Sequence, residues 1–285
     1  MKFENTMVMN FDGAIRGMRN PLESWKMSDS AFGISEIGEE DSLNEVAELY
    51  NNYNKELAIT FNEDYTPYDF LNKQGIIKVD ENYYEFMFIG PNDLSLMQRL
   101  IKAGSTHRKF MRQIFISVDI TAPLYYWKEA DTYKVGTVSN STSTMHKLAT
   151  TPITIDCFET DDMVNLAEVD NEHTSVELKK SWCVGDDSDN YPLEFIDYLE
   201  DLRIKYLETK DKRYWKELIR WLPESWLQKR TMTFSYENIY SMIRDRKTHK
   251  LNEWSGLDDA SKEHFIKWAK TLPYADVLLF FDLKD

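Results

Sequence analysis

The alternation of hydrophobic and polar positions along the chain predicts a mixture of strands and helices, most organised at its centre. Met7, Val8 and Met9 belong to a first strand within residues 1–12, and the run from Arg16 to Pro21, with its glycine and proline, breaks it. Leu43, Val46, Ala47, Leu49 and Tyr50 recur at helical spacing, which predicts an amphipathic helix over 41–57 capped by Asp41 or Ser42. Ile76 to Val79, the turn Asp80-Glu81-Asn82 and the run Tyr83 to Ile89 predict a β-hairpin. Gly90-Pro91-Asn92 then opens a helix carrying Leu94, Leu96, Met97 and Leu100.

Phe115 to Ile120 is β-branched and apolar, the pattern of a buried strand. Thr121 is the expected cap of the next helix, with Pro123 near its first turn, where a missing N–H is harmless. That helix carries Leu124, Tyr125, Tyr126 and Trp127, and the polar, β-prone run Val138 to Thr144 follows it. Residues 158–190 are acid-rich with few large apolar side chains and read as an excursion from the core. The alternating ligand positions and turn glycine of a calcium loop are absent there, so a solvated acidic face is the reading. Further helices are predicted at 193–209, 212–221, 235–250 and 259–271. Repeats and low-complexity tracts are absent.

Composition narrows the class. With 42% hydrophobic and 29% charged residues among 285, the chain is globular, and one large domain, or one domain with insertions, is the default at this length. Its 34 Lys+Arg against 49 Asp+Glu give a net charge of −15, which argues against a nucleic-acid partner because such a surface repels phosphate backbones. No apolar run is long enough to span a membrane, and no basic stretch followed by an apolar block marks a secretory signal. Cys157 and Cys183 form neither a CxxC motif nor a disulfide framework, so a reduced, cytoplasmic setting is expected. Aromatic residues reach 14% of the chain, a surplus that points to core and subunit contacts. Tyr125, Tyr126, Trp127 and Trp221 are expected to serve there.

Candidate chemistry starts from what is missing. There is no GxGxxG, Walker loop, HExxH or GxSxG, and none of the five histidines has a second at metal-ligand spacing, so no metal site is expected. Two stretches instead gather cationic and hydroxyl groups without obvious carboxylates to neutralise them. One runs from Ser105 through His107 and Arg108 to Arg112 and continues in Tyr133-Lys134 and Ser139 to Thr144. The other runs from Arg220 through Lys229-Arg230 to Arg244, Arg246 and Lys250. In so acidic a chain this suggests a pocket for a phosphate, which the planar fork of Arg and the hydroxyls of Ser and Thr would bind. The alternative, which composition alone favours, is that these bases pair with acids on helical surfaces.

The order of these motifs resembles the flavin-dependent thymidylate synthases. Ser105-Thr-His107 matches that family's histidine after a serine-bearing helix start. The strand 114–120 and the helix ending Asp131-Thr132-Tyr133-Lys134 match its strand and its helix ending in Arg-His-Arg. The segment Val138 to Ser143 occupies the Ser/Asn/Glu/Arg position, and Leu222-Pro223, Arg246 and Asn252 reproduce the C-terminal pattern. The likeness spans about residues 93–150 and 212–273. It implies an α+β (mixed α/β) fold with a sheet flanked by helices, a single domain with core 93–150 and 191–273, an atypical N-terminal segment 13–90 and an acidic insertion 158–190.

The resemblance further implies a homotetramer that binds FAD and dUMP and passes a methylene from a reduced folate to the pyrimidine. Under it His107, Tyr133, Lys134 and Asn140 are flavin-binding, while Thr142, Ser143, Arg220 and Arg246 bind the nucleotide, with Ser143 and Arg246 closest to the chemistry. Three departures stand against this. Thr132-Tyr133-Lys134 replaces Arg-His-Arg, the family serine falls on Thr142 or, with one inserted residue, on Ser143, and in the latter register Ser141 replaces the glutamate and Met145 an arginine. Losing a charged bidentate contact removes roughly 1.5–3 kcal/mol. A nucleotide-binding or structural relative without flavin chemistry is therefore the alternative.

Overall fold

A computed structural model describes residues 1–36, 78–79, 83–161 and 191–283. In chain order the named elements are β1 (Lys2–Met9), α1 (Phe11–Arg19), β2 (Ala31–Glu36), β3 (Lys78–Val79), β4 (Tyr83–Phe88), α2 (Pro91–Lys102), β5 (Phe115–Pro123), α3 (Leu124–Ala130), β6 (Val138–Ser141), α4 (Thr144–Lys147), α5 (Tyr191–Thr209), α6 (Lys212–Trp221), β7 (Leu227–Ser235), α7 (Tyr236–Arg246), α8 (Asn252–Ser255), α9 (Phe265–Lys270) and α10 (Ala275–Leu278). Four strands form a sheet in the order β1-β5-β7-β6, and β2-β4-β3 form an antiparallel sheet of three. The mixture of helix and sheet is the α+β class expected.

The chain divides into two compact units: Met1–Glu4, Asp119–Thr132 and Ser139–Thr231 make the first, and Asn5–Val118, Tyr133–Val138 and Met232–Asp285 the second. In the first unit Leu148, Ile153, Phe158, Ile196, Leu199, Leu202 and Leu218 form the core, with α5 packed on α6. Arg203 Nε donates to Glu200 Oε2 at 2.7 Å, the same oxygen accepts the Ile153 N–H at 2.8 Å, and Arg203 Nη1 reaches the Ala149 carbonyl. This ties the 149–153 loop to α5. The bond from Arg203 holds the Glu200 carboxyl below its ordinary range. Tyr126 and Trp127 are buried as expected, with the Trp127 indole donating to the carbonyls of Ala122 and Gln228. Trp221 is half exposed.

In the second unit, α1 replaces the expected break. Gly13 and Gly17 lower helix propensity, but at Gly17 the Gln113 side chain lies where a Cβ would sit, so the glycine permits a close approach. Arg19 at the end of α1 is 4% exposed and donates to Asp93 Oδ1 at 2.6 Å, while Asp93 itself is fully buried. The other Asp93 oxygen accepts from the hydroxyls of Ser28 and Ser30, each at 2.6 Å, and from the N–H groups of Asp29 and Ser30. One carboxylate thus joins α1, the 28–30 loop and α2.

Other boundaries differ for local reasons. β5 continues through Thr121 and Ala122, because the inward alternation of Ile116, Val118 and Ile120 extends to Ala122, so Pro123 rather than Thr121 precedes the helix. β7 was not foreseen. The helix predicted over 235–250 ends at Arg246, and that over 259–271 is confined to Phe265–Lys270, with α8 before it. The hairpin is present as β3 and β4, and α2 starts at Pro91. The helix expected over 41–57 and nearly all of the acidic insertion lie outside the described residues.

Between α8 and α9, Gly256 adopts φ +66°, and the His264 imidazole lies where a Cβ would sit. Gly256→Ala is expected to cost about 1–3 kcal/mol from this left-handed strain alone, read as a shift in the urea midpoint. His264 is buried, and its Nδ1 caps α9 by accepting the Lys267 N–H at 3.3 Å. Burial pushes its pKa below the ordinary value of 6.5, with Lys267 adding to the shift. A depressed folded pKa means the unfolded chain takes up the proton first. Stability is therefore full above about pH 6.5 and falls as the pH drops through the folded value. The wild-type urea midpoint should fall between pH 7.5 and pH 5 by more than that of His264→Asn, and equal falls would contradict the assignment.

Candidate functional site

The α7 helix organises the most developed cluster in the second unit. Ser235 and Asn238 form a capping box at its start, and Asn238 Nδ2 also donates to the Val135 carbonyl at 2.8 Å. That bond, with Thr137 Oγ1 donating to the Tyr133 carbonyl at 2.8 Å, pins the segment bearing Tyr133 and Lys134. Tyr236, Ile239, Tyr240, Met242 and Ile243 bury the inner face of α7. Arg244 and Arg246 occupy its last turn, where positive charge complements the helix dipole.

At that end, Arg246 Nε donates to the Tyr133 hydroxyl at 3.0 Å, and the hydroxyl donates to Asp245 Oδ2 at 3.1 Å. The guanidinium carbon lies 5.1 Å from the Trp254 ring centroid and 5.5 Å from that of Tyr133. Trp254 is fully buried, with Phe265 edge-on at 5.3 Å and His249 at 6.4 Å. Burial raises the Tyr133 phenol above its ordinary value, Arg246 opposes the shift and Asp245 adds to it. The phenol is therefore neutral at physiological pH, able to donate and accept at once.

Of the expected site residues, the structure brings Tyr133 and Arg246 together in this unit. His107 and Lys134 are exposed and make no side-chain hydrogen bond or ion pair among the described residues. In the first unit, Asn140 is exposed on β6, an outer strand of the four-stranded sheet. Thr142 bonds through its backbone to Lys229, and its carbonyl accepts from Gln228. Ser143 caps α4, its Oγ accepting the His146 N–H at 3.3 Å. Arg220 pairs with Glu217 one turn back on α6.

The reading that composition favoured, in which the bases of these stretches pair with acids, holds for several of them. Arg108 and Arg112 both pair with Glu237, and Arg244 pairs with Asp282, whose other oxygen accepts from the Tyr240 hydroxyl at 2.7 Å. Arg108 and Arg244 flank the Tyr240 ring. In the first unit Arg230 pairs with Asp131, and Lys229 with Glu4 and Asp119. Most of these partners are more than 100 residues away along the chain, so adjacency in sequence concealed them. Asp245 and Trp254 were also missed as site residues. Their signal was present in an acid set between two arginines and a tryptophan just beyond the basic run.

The chain matches over its whole length a crystal structure of flavin-dependent thymidylate synthase ThyX from Helicobacter pylori complexed with FAD and dUMP. The TM-score is 0.53 at 15% identity, with 100% of both chains covered. The fold is ThyX-like. A second crystal structure of the H. pylori enzyme with FAD and dUMP matches with TM-score 0.53 and 14% identity over 99% of this chain and 98% of that one. No protein-family model and no curated protein sequence matches the chain. The ThyX-like fold is the one that the order of motifs implied. Among the described residues no helix is long and apolar enough to cross a membrane.

Proposed function

We propose that this protein is a divergent flavin-dependent thymidylate synthase-like enzyme, which methylates dUMP or a related pyrimidine nucleotide with FAD and a folate methylene donor. The observation that carries this reading is the full-length likeness to ThyX structures holding FAD and dUMP. The donor chemistry fits the cofactor: Lys134 offers a cation for a diphosphate, and His107 and the Asn140 amide offer exposed donors for phosphate or ring atoms. With the aromatic ring of Tyr133, whose hydroxyl is bonded to Asp245 and Arg246, these residues would hold the flavin. Bound flavin supplies the hydride chemistry that no side chain carries, so the protein's share is binding and orientation. Arg246, Thr142, Ser143 and Arg220 would meet the nucleotide, Arg246 being the strongest because a guanidinium matches phosphate or carbonyl oxygens. Self-association as a homotetramer belongs to the same proposal.

A second reading, nucleotide binding without flavin chemistry, is favoured by one observation. Thr132-Tyr133-Lys134 stands where the family has Arg-His-Arg, so one of the two cations and the imidazole that would face the flavin are absent. The two readings separate by thermal denaturation with FAD alone, dUMP alone and both. The enzyme reading expects each ligand to raise the melting midpoint, by roughly 2–4 °C per kcal/mol of ligand stabilisation. A response to dUMP alone would favour the second reading, and no response to either would contradict both.

A further inference from the structure

One hydroxyl reaches two successive side chains at the end of α7. Successive residues of an α-helix point about 100° apart, so the Tyr133 phenol, bonded to both Asp245 and Arg246, restricts the rotamers of both. The bond to Arg246 is made at Nε, inside the guanidinium plane, and so it sets the rotation of that plane as well as the position of the charge. The rings of Tyr133 and Trp254 lie 6.4 Å apart, tilted by 53°, and the guanidinium carbon is within cation–π distance of each. Both supports are fixed from behind. Trp254 is fully buried against Phe265, and the Tyr133 backbone is pinned through Thr137 and, by way of Val135, through the capping residue Asn238.

We infer that Tyr133 is a positioning residue for Arg246: its hydroxyl sets the guanidinium plane that receives the phosphate or pyrimidine oxygens of the nucleotide. This rests on the nucleotide-binding reading proposed above and assigns a role to the substituted centre of the Arg-His-Arg position. Whatever the ring offers the flavin, the hydroxyl is committed to Asp245 and Arg246. Its effect therefore falls on the nucleotide and leaves the flavin unaffected.

The test is calorimetric titration of the full chain with dUMP and, separately, with FAD, on wild type, Tyr133→Phe, Arg246→Ala and the double variant. Tyr133→Phe keeps the ring and its contact with Trp254, and is expected to weaken dUMP binding about tenfold, the loss of one hydrogen bond to a charged group. FAD affinity should stay within about twofold, and the double variant should bind dUMP no more weakly than Arg246→Ala alone. A purely structural role would move both ligands and the melting midpoint together and make the two substitutions additive. Wild-type dUMP affinity in Tyr133→Phe, or additivity in the double variant, would overturn the positioning role while leaving the nucleotide reading in place. Absence of dUMP binding to wild type would overturn both.

Discussion

Asp93→Ala is expected to destabilise the second unit by about 3–5 kcal/mol, the range found when one partner of a buried ion pair is removed. The Arg19 cation would remain at 4% exposure without its partner, and the hydroxyls of Ser28 and Ser30 and two N–H groups would lose their acceptor. Urea denaturation of the variant should show a strongly lowered midpoint. Asp93→Asn should recover only part of the loss, since the amide keeps a carbonyl acceptor for the serines but offers no charge to Arg19. Replacing both partners by apolar residues, Arg19→Met with Asp93→Leu, should also recover only part, because the 28–30 loop stays unsatisfied. A midpoint for Asp93→Ala within about 0.5 kcal/mol of wild type would show that this carboxylate does not hold α1, the loop and α2 together.

The second large effect concerns binding. Arg246→Ala is expected to lower dUMP affinity by about 10- to 150-fold, the equivalent of losing a charge-assisted contact of roughly 1.5–3 kcal/mol. The fold should change little, because Arg246 sits at the end of α7 rather than in its buried face. Thermal denaturation with and without dUMP separates the two effects. Loss of the dUMP-dependent rise with an unchanged ligand-free midpoint supports the assignment, and a retained rise would remove Arg246 from the nucleotide site.

Much of the fold was legible where local periodicity and tertiary packing agree. The α2, α5 and α6 helices and the β3–β4 hairpin follow from regular apolar spacing and from Gly90-Pro91 at a helix start. β7 was hidden because a polar residue occupies an inward position. Gln228 is buried, its amide satisfied by the Thr142 carbonyl and Thr144 Oγ1, and this interrupts the alternation completed by Met232 and Phe234. α1 was hidden for the opposite reason, its glycines serving close contact rather than a turn.

The candidate site divides in the same way. Tyr133 and Arg246 could be placed by motif order, since each lies at a recognisable point along the chain. Their bond could not, because 113 residues separate them. The carboxylates that neutralise Arg108, Arg112 and Arg244 lie 38 to 129 residues away, so composition could favour pairing with acids but could not name the partners.

The most direct test of the central claim is the visible absorption spectrum of the 285-residue chain, incubated with FAD and then freed of unbound cofactor. A flavin band retained with the protein, perturbed on addition of dUMP, is the predicted result. A colourless protein, with all FAD recovered in the small-molecule fraction and no response to dUMP, would contradict the assignment of flavin and nucleotide chemistry to this ThyX-like fold.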